Sequence, residues 1–244
     1  MKNKFLYIKE RCTVCNGKGF KFSEKRAFKG EQEEDAVQCD CLKKAIMYQR
    51  LDEANVPRDF YDFSMDDFLE GNRKQIAVKK EINETLENLD QWWEKGGGIF
   101  LYGPKGTGKT FLATQILKAA LRKKYSIYYD FFPIVFGEFQ KKGYKADEVK
   151  NKYTKIFQDT DFLVIDELSK EKEYFTADGD ITKRFLEINI LKKRVSKPTI
   201  IISNLDNGLN GVKEHYGPYV ASMLSQNYKF INVHDVDFRE KNHD

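Results

Sequence analysis

The 244 residues are 41% hydrophobic and 33% charged, enough apolar side chain for a sizeable core and far too much charge for a membrane protein. No apolar run approaches the ~18 residues a membrane-spanning helix needs, and the apolar patch Phe5 to Ile8 is too short for a secretory leader. A net charge of +4 is too small to prove a nucleic-acid partner, and the expectation is a soluble cytoplasmic protein whose thiols stay reduced.

All four cysteines, Cys12, Cys15, Cys39 and Cys41, fall within the first 41 residues. Cys12-x-x-Cys15-Asn-Gly-Lys-Gly has the form of a zinc knuckle, and Cys39-x-Cys41 is a tighter second pair. His215, His234 and His243 are all remote, so the expected site is four thiolates around tetrahedral Zn²⁺. Few large apolar residues surround the pairs, and metal would supply the order that a core does not. Surface thiols or a redox pair are the alternatives.

Residues 1–30 carry nine Lys or Arg against Glu10 and Glu24, and Glu31, Glu33, Glu34 and Asp35 follow as an expected acidic loop. A basic face interleaved with Phe5, Phe20, Phe22 and Phe28 suits nucleic acid or an acidic partner, or is simply a solvated face. Leu42 to Ala54 reads as a short helix stopped before Pro57. Residues 55–74 read as an irregular linker in which Phe60, Tyr61, Phe63 and Phe68 would pin the chain onto the next domain. Val78, Ile82, Leu86, Leu89 and Trp93 then repeat at helical spacing up to Gly96, Gly97 and Gly98. The expected organisation is a zinc-binding module with its short helix over 1–54, a linker over 55–74 and the main domain over 75–244.

Gly103-Pro104-Lys105-Gly106-Thr107-Gly108-Lys109-Thr110 satisfies G-x-x-x-x-G-K-[ST], the phosphate-binding loop. The apolar run Ile99 to Tyr102 precedes it, and the helical pattern Phe111, Leu112, Gln115, Ile116 and Ala119 follows. Strand, glycine loop and helix are the context that the motif requires. The glycines let backbone N–H groups turn inward on a phosphate, toward which the helix also points its positive end. Lys109 would reach the β- and γ-phosphates of ATP, or the β-phosphate of ADP, and the Thr110 hydroxyl would ligate Mg²⁺.

Beyond the loop, strand patterns at Ser126–Phe131, Phe162–Asp166, Thr199–Ser203 and Lys229–Val233 alternate with helical patterns around 133–142, 146–158, 180–194 and 209–226. With the strand before the loop they predict an α/β fold. Five parallel strands are covered by helices on both faces, with ligand chemistry at their carboxyl ends. Phe162 to Ile165 ends in Asp166 and Glu167, 57 residues after Lys109. Asp166 would hold Mg²⁺ opposite Thr110, and Glu167 would polarise the attacking water. Ile200 to Ser203 ends in Asn204, whose amide would sense the γ-phosphate; a turn residue or an acidic turn are the bland readings of these tips.

These elements resemble the AAA+ ATPases, and within them the DnaC/DnaI-type replicative helicase loaders and their IstB-type transposition relatives. The likeness includes the cysteine head, Asn55-Val56-Pro57, Gly103–Thr110 with Phe111, Asp166-Glu167, Lys197-Pro198-Thr199 with Ser203-Asn204, and Asp237-Phe238-Arg239. It implies a cysteine module that contacts a hexameric replicative helicase. The ATPase part would bind single-stranded DNA and self-associate when ATP is bound. Arg239 would touch the nucleotide phosphates, and no full C-terminal lid is expected after it. Lys141, Lys142, Tyr144 and Lys145 are the DNA candidates, whereas the spacing of Phe131, Phe132, Val135, Phe136 and Phe139 suits the core.

One position departs from the pattern. Loaders of this group commonly carry Ser-Arg-Leu on the helix before the last strand, where this chain has Ser222-Met223-Leu224, and no arginine lies between Arg194 and Arg239. Losing an arginine finger costs roughly 10³-fold or more in rate. Either Lys213 or Arg194 substitutes, or hydrolysis is weak and ATP acts as an assembly switch. The alternatives are an IstB-type transposition helper and, from another class, a zinc-ribbon P-loop nucleotide kinase.

Overall fold

A computed structural model describes residues 4–24, 34–68, 71–170 and 179–233. The chain divides into two compact units, 1–61 and 62–244.

In the first unit a short helix, α1 (Tyr7–Glu10), precedes an antiparallel hairpin of β1 (Phe20–Glu24) and β2 (Glu34–Gln38), then α2 (Asp40–Glu53). The hairpin corrects the expectation of an acidic loop, since Glu34 and Asp35 lie in β2 opposite Glu24 and Ser23. Its signal was present in the alternation of Phe20 and Phe22, which is the two-residue period of a strand. Nor is Phe5 part of an exposed basic face. Phe5, Tyr48 and Tyr61 are buried together, with ring centroids 5.1–6.2 Å apart, and Leu51 in the same unit is fully buried. Tyr61 therefore belongs to this small core rather than pinning the linker elsewhere. Phe20 and Phe22 are exposed, and Phe28 lies outside the described residues.

The second unit is a five-stranded parallel sheet in the order β4-β5-β6-β3-β7. Its strands are β3 (Gly98–Tyr102), β4 (Ile127–Phe131), β5 (Phe162–Leu168), β6 (Thr199–Ser203) and β7 (Tyr228–Asn232). The three central strands are apolar along almost their whole length, as strands covered on both faces must be. Helices α3 (Arg73–Glu87) and α4 (Leu89–Lys95) precede β3, α5 (Lys109–Arg122) joins β3 to β4, and α6 (Phe132–Gln140) and α7 (Tyr144–Asp159) join β4 to β5. Phe132, Val135 and Phe136 lie in the core, while Phe139 is half-buried against it. Between β5 and β6 runs α8 (Gly179–Phe185), continued by a π-helical turn, Leu186–Leu191, and a tight turn ending at Arg194. No helix among the described residues is long and apolar enough to cross a membrane.

Two long helical patterns are each broken in two. Asn88 ends α3 because its side-chain amide takes the Glu84 carbonyl at 2.7 Å, competing with the backbone ladder. The pattern over 209–226 becomes α9 (Leu209–Tyr216) and α10 (Pro218–Asn227). Gly217 separates them at φ 88°, and the following proline has no N–H to continue the first helix.

Candidate nucleotide site and thiol cluster

Residues 103–108 wrap the amino end of α5, a 14-residue helix whose dipole is directed at the loop. Gly108 caps that helix at φ 90°, a conformation that a side chain would strain. Gly103 stands at φ 131° so close to β7 that a Cβ would lie 2.5 Å from the Val233 carbonyl. The loop is therefore an all-backbone cradle. Lys109 is buried in it, its ammonium donating to the Gly103 carbonyl at 2.7 Å and to the Pro104 carbonyl at 2.5 Å. Thr107 is buried and donates to Pro104, while Lys105 is exposed. Phe111 follows Thr110 and packs its ring on Phe63 and Phe68, at 6.1 and 5.8 Å.

Across the sheet edge Asp166 is 4% exposed. Its Oδ2 accepts the Thr110 hydroxyl at 2.8 Å and the Tyr129 hydroxyl at 2.5 Å, and its Oδ1 accepts the Glu167 backbone N–H at 2.6 Å. Burial pushes this carboxyl above its ordinary range, and the three donors oppose that shift. A hydroxyl and a buried carboxylate this close form a hard oxygen pair, which fits Mg²⁺. Tyr129 had no sequence signal beyond its place on a strand.

The register explains why the loop and the acidic pair face one another. Strand β6 lies between β3 and β5, pairing Tyr102 with Ser203 on one side and Leu168 with Ser203 on the other. Asn204, the next residue, thus stands at the carboxyl edge between the phosphate loop and Asp166-Glu167. A register shift between Ile165 and Leu168 accompanies two non-glycine residues in the left-handed region, Glu167 at φ 60° and Ser169 at φ 87°. Such residues cost roughly 1–3 kcal/mol each and persist where surrounding contacts fix them. Here the Ser169 N–H donates to the Tyr216 hydroxyl at 2.9 Å, and Ser203 Oγ donates to the Leu168 carbonyl at 2.9 Å. Arg239 lies outside the described residues.

Arg194 is enclosed within the fold rather than presented at its surface. It is 1% exposed and sits at the amino edge of the sheet, opposite the edge that carries Lys109 and Asp166. It donates to the carbonyls of Phe157, Thr160, Asp161 and Pro198 and to Thr199 Oγ1, gathering the turns that enter β5 and β6. Met223 on α10 packs half-buried on the core, whereas Lys213 on α9 is exposed. Lys141, Lys142, Tyr144 and Lys145 are exposed around the start of α7, with Tyr144 79% accessible.

In the first unit the four cysteine sulfurs lie within 4.8 Å of one another. Cys12 and Cys39 are 3.9 Å apart, Cys15 and Cys41 3.5 Å, and the Gly19 N–H donates to Cys15 Sγ at 3.2 Å. The Cys15 backbone N–H draws the Cys12 thiol down to about 7, while burial and the neighbouring sulfurs push Cys41 up to about 12. Four sulfurs this close cannot all ionise without a cation among them, and a soft thiolate set of four suits zinc.

The sequence model of the IstB-like ATP binding protein family matches residues 44–209, more than half of the chain. No curated protein matches the sequence. Among solved structures, the DnaC helicase loader has a TM-score of 0.60 at 21% identity, covering 73% of this chain and 100% of that one. DnaI gives 0.53 at 15% identity, covering 74% and 93%. AMPPCP-bound DnaA from Aquifex aeolicus gives 0.50 at 21%, covering 77% and 54%. Identities this low speak for the fold alone, a parallel sheet of the phosphate-loop type. With the family match over residues 44–209, the chain belongs to the IstB-like ATP-binding family.

Proposed function

We propose that the chain is an ATP-responsive adaptor that delivers a hexameric replicative helicase to single-stranded DNA, with ATP serving mainly as the switch for self-assembly. The observation that carries this reading is the pairing of a complete phosphate-loop and Asp166-Glu167 site with a separate compact unit built on four thiols. One part responds to nucleotide; the other offers a metal-ordered docking head with exposed Phe20 and Phe22. Lys109 would hold the β- and γ-phosphates. Thr110 and Asp166 would hold Mg²⁺, which supplies charge neutralisation at the phosphates. Glu167 would orient water, Asn204 would report the γ-phosphate, and Arg239 would complete the nucleotide contacts. The domain boundaries follow the same reading, with zinc in the head, ATP in the second unit, and DNA along Lys141, Lys142, Tyr144 and Lys145. The family is equally consistent with a transposition helper; nothing supports the nucleotide-kinase alternative.

The test is affinity capture on the full chain with ATP or with ADP, offering a purified replicative helicase hexamer and a purified transposase in parallel. Retention of the helicase is expected. Retention of the transposase alone would transfer the protein to the transposition branch of the family.

A further inference from the structure

Glu167 is partly exposed, its side chain 28% accessible, but one of its two carboxylate oxygens is already engaged. Its Oε1 accepts the ammonium proton of Lys170 at 2.5 Å, in an ion pair whose lysine side chain is only 15% exposed. The backbone imposes this meeting. With Glu167 and Ser169 both at positive φ, the chain doubles back, and the Lys170 N–H donates to the Glu167 carbonyl at 3.2 Å. Residues three apart are thereby brought onto one side of the turn. Ser169 is fixed by Tyr216 and lies 3.3 Å, Oγ to Oγ, from Ser203, so the turn is held by a helix end and a neighbouring strand. This is a built contact rather than a surface lysine that found a carboxylate.

An ammonium on a carboxylate oxygen competes with water for the same lone pairs and fixes the side chain in one rotamer. We propose that Lys170 is a latch on Glu167, a positioning residue that withholds the water-activating carboxylate and so sets the basal rate of ATP hydrolysis. The proposal rests on the reading of Glu167 as that carboxylate. It assigns slow basal turnover to a contact inside one subunit, separate from the methionine at the finger position. Lys109 already provides the cation for the phosphates, which leaves Lys170 with the different task of occupying Glu167.

The experiment is single-turnover hydrolysis of labelled ATP by the full chain, with ATP affinity measured separately by a fluorescent analogue. Wild type is compared with Lys170→Met, Lys170→Arg, Glu167→Gln and the double variant Glu167→Gln/Lys170→Met. Lys170→Met should hydrolyse several-fold faster at unchanged ATP affinity. Lys170→Arg, which keeps a cation on that side of the turn, should accelerate hydrolysis less than Lys170→Met does. The double variant should be as inactive as Glu167→Gln. An unchanged or reduced rate in Lys170→Met, with affinity and thermal unfolding intact, would overturn the latch while leaving Glu167 in its role. Wild-type turnover by Glu167→Gln would overturn the base assignment, and the latch with it. Should Lys170→Met misfold, Lys170→Gln gives the same comparison with a polar side chain.

Discussion

Tyr129 and Thr110, from a strand and from the phosphate-loop helix, donate to the same oxygen of Asp166, at 2.5 and 2.8 Å. The carboxylate is thereby aimed before any cation arrives. Removing the hydroxyl in Tyr129→Phe leaves a buried carboxyl one donor short, which costs roughly 1–3 kcal/mol. The expected outcome is lower stability without nucleotide, partly recovered in Mg²⁺-ATP, together with a raised Mg²⁺ requirement for binding. Urea unfolding with and without Mg²⁺-ATP, beside a Mg²⁺ titration, measures both.

Arg194 is expected to carry stability rather than catalysis. Four backbone carbonyls depend on its guanidinium, which burial draws down to about 10 and which therefore remains charged at neutral pH. Arg194→Met strips those acceptors of their donor and should lower stability by roughly 3–5 kcal/mol, without changing ATP affinity in the protein that stays folded. Denaturant melts and nucleotide titration separate the two effects. A loss of hydrolysis at full stability would return Arg194 to the list of catalytic cations.

On the proposed reading of ATP as an assembly switch, Met223 offers a neighbouring subunit no finger arginine, and Lys213 is the remaining candidate. Hydrolysis should be weak and nearly independent of protein concentration or added single-stranded DNA. Met223→Arg should raise the rate as the protein assembles, because the cation would arrive from a neighbouring subunit. Steady-state assays over a protein titration decide this. Strong stimulation of the wild type, abolished by Lys213→Ala, would assign the finger to Lys213.

Asp130 is buried at the end of β4, where burial raises its carboxyl above the ordinary 3.8 despite donors from the Phe131 backbone and Tyr128. A carboxyl raised by folding binds more protons in the folded state. Its ionisation therefore removes stability as pH climbs from about 4 through the raised value. Asp130→Asn should melt higher than wild type near pH 7 and converge with it near pH 4. Thermal unfolding across that range reads the crossing.

The thiol cluster should yield about one equivalent of zinc on freshly purified, reduced protein. Chelation, or Cys12→Ser and Cys39→Ser, should unfold the first unit while the second still binds ATP, since the units are separately compact. Metal analysis and limited proteolysis give the answer, and metal-free protein with an intact first unit would remove the zinc assignment.

Sequence alone identified the phosphate loop, the Asp166-Glu167 tip, five parallel strands and the cysteine pairs. Each is local: a spacing, a period, or a glycine where backbone must approach an anion. Non-local pairing decided the remainder. The hairpin β1–β2 and the small core of Phe5, Tyr48 and Tyr61 depend on residues that meet only after folding. The same holds for Arg194, whose charge resembles any exposed arginine in sequence but whose position buries it at the amino edge of the sheet. Tyr129 reaches Asp166 only because β4 lies beside β5, and Lys170 reaches Glu167 only through two left-handed residues that no propensity predicts. Periodicity reports which face of an element is buried; it carries no record of which neighbour covers that face, and there the tertiary structure had the decision.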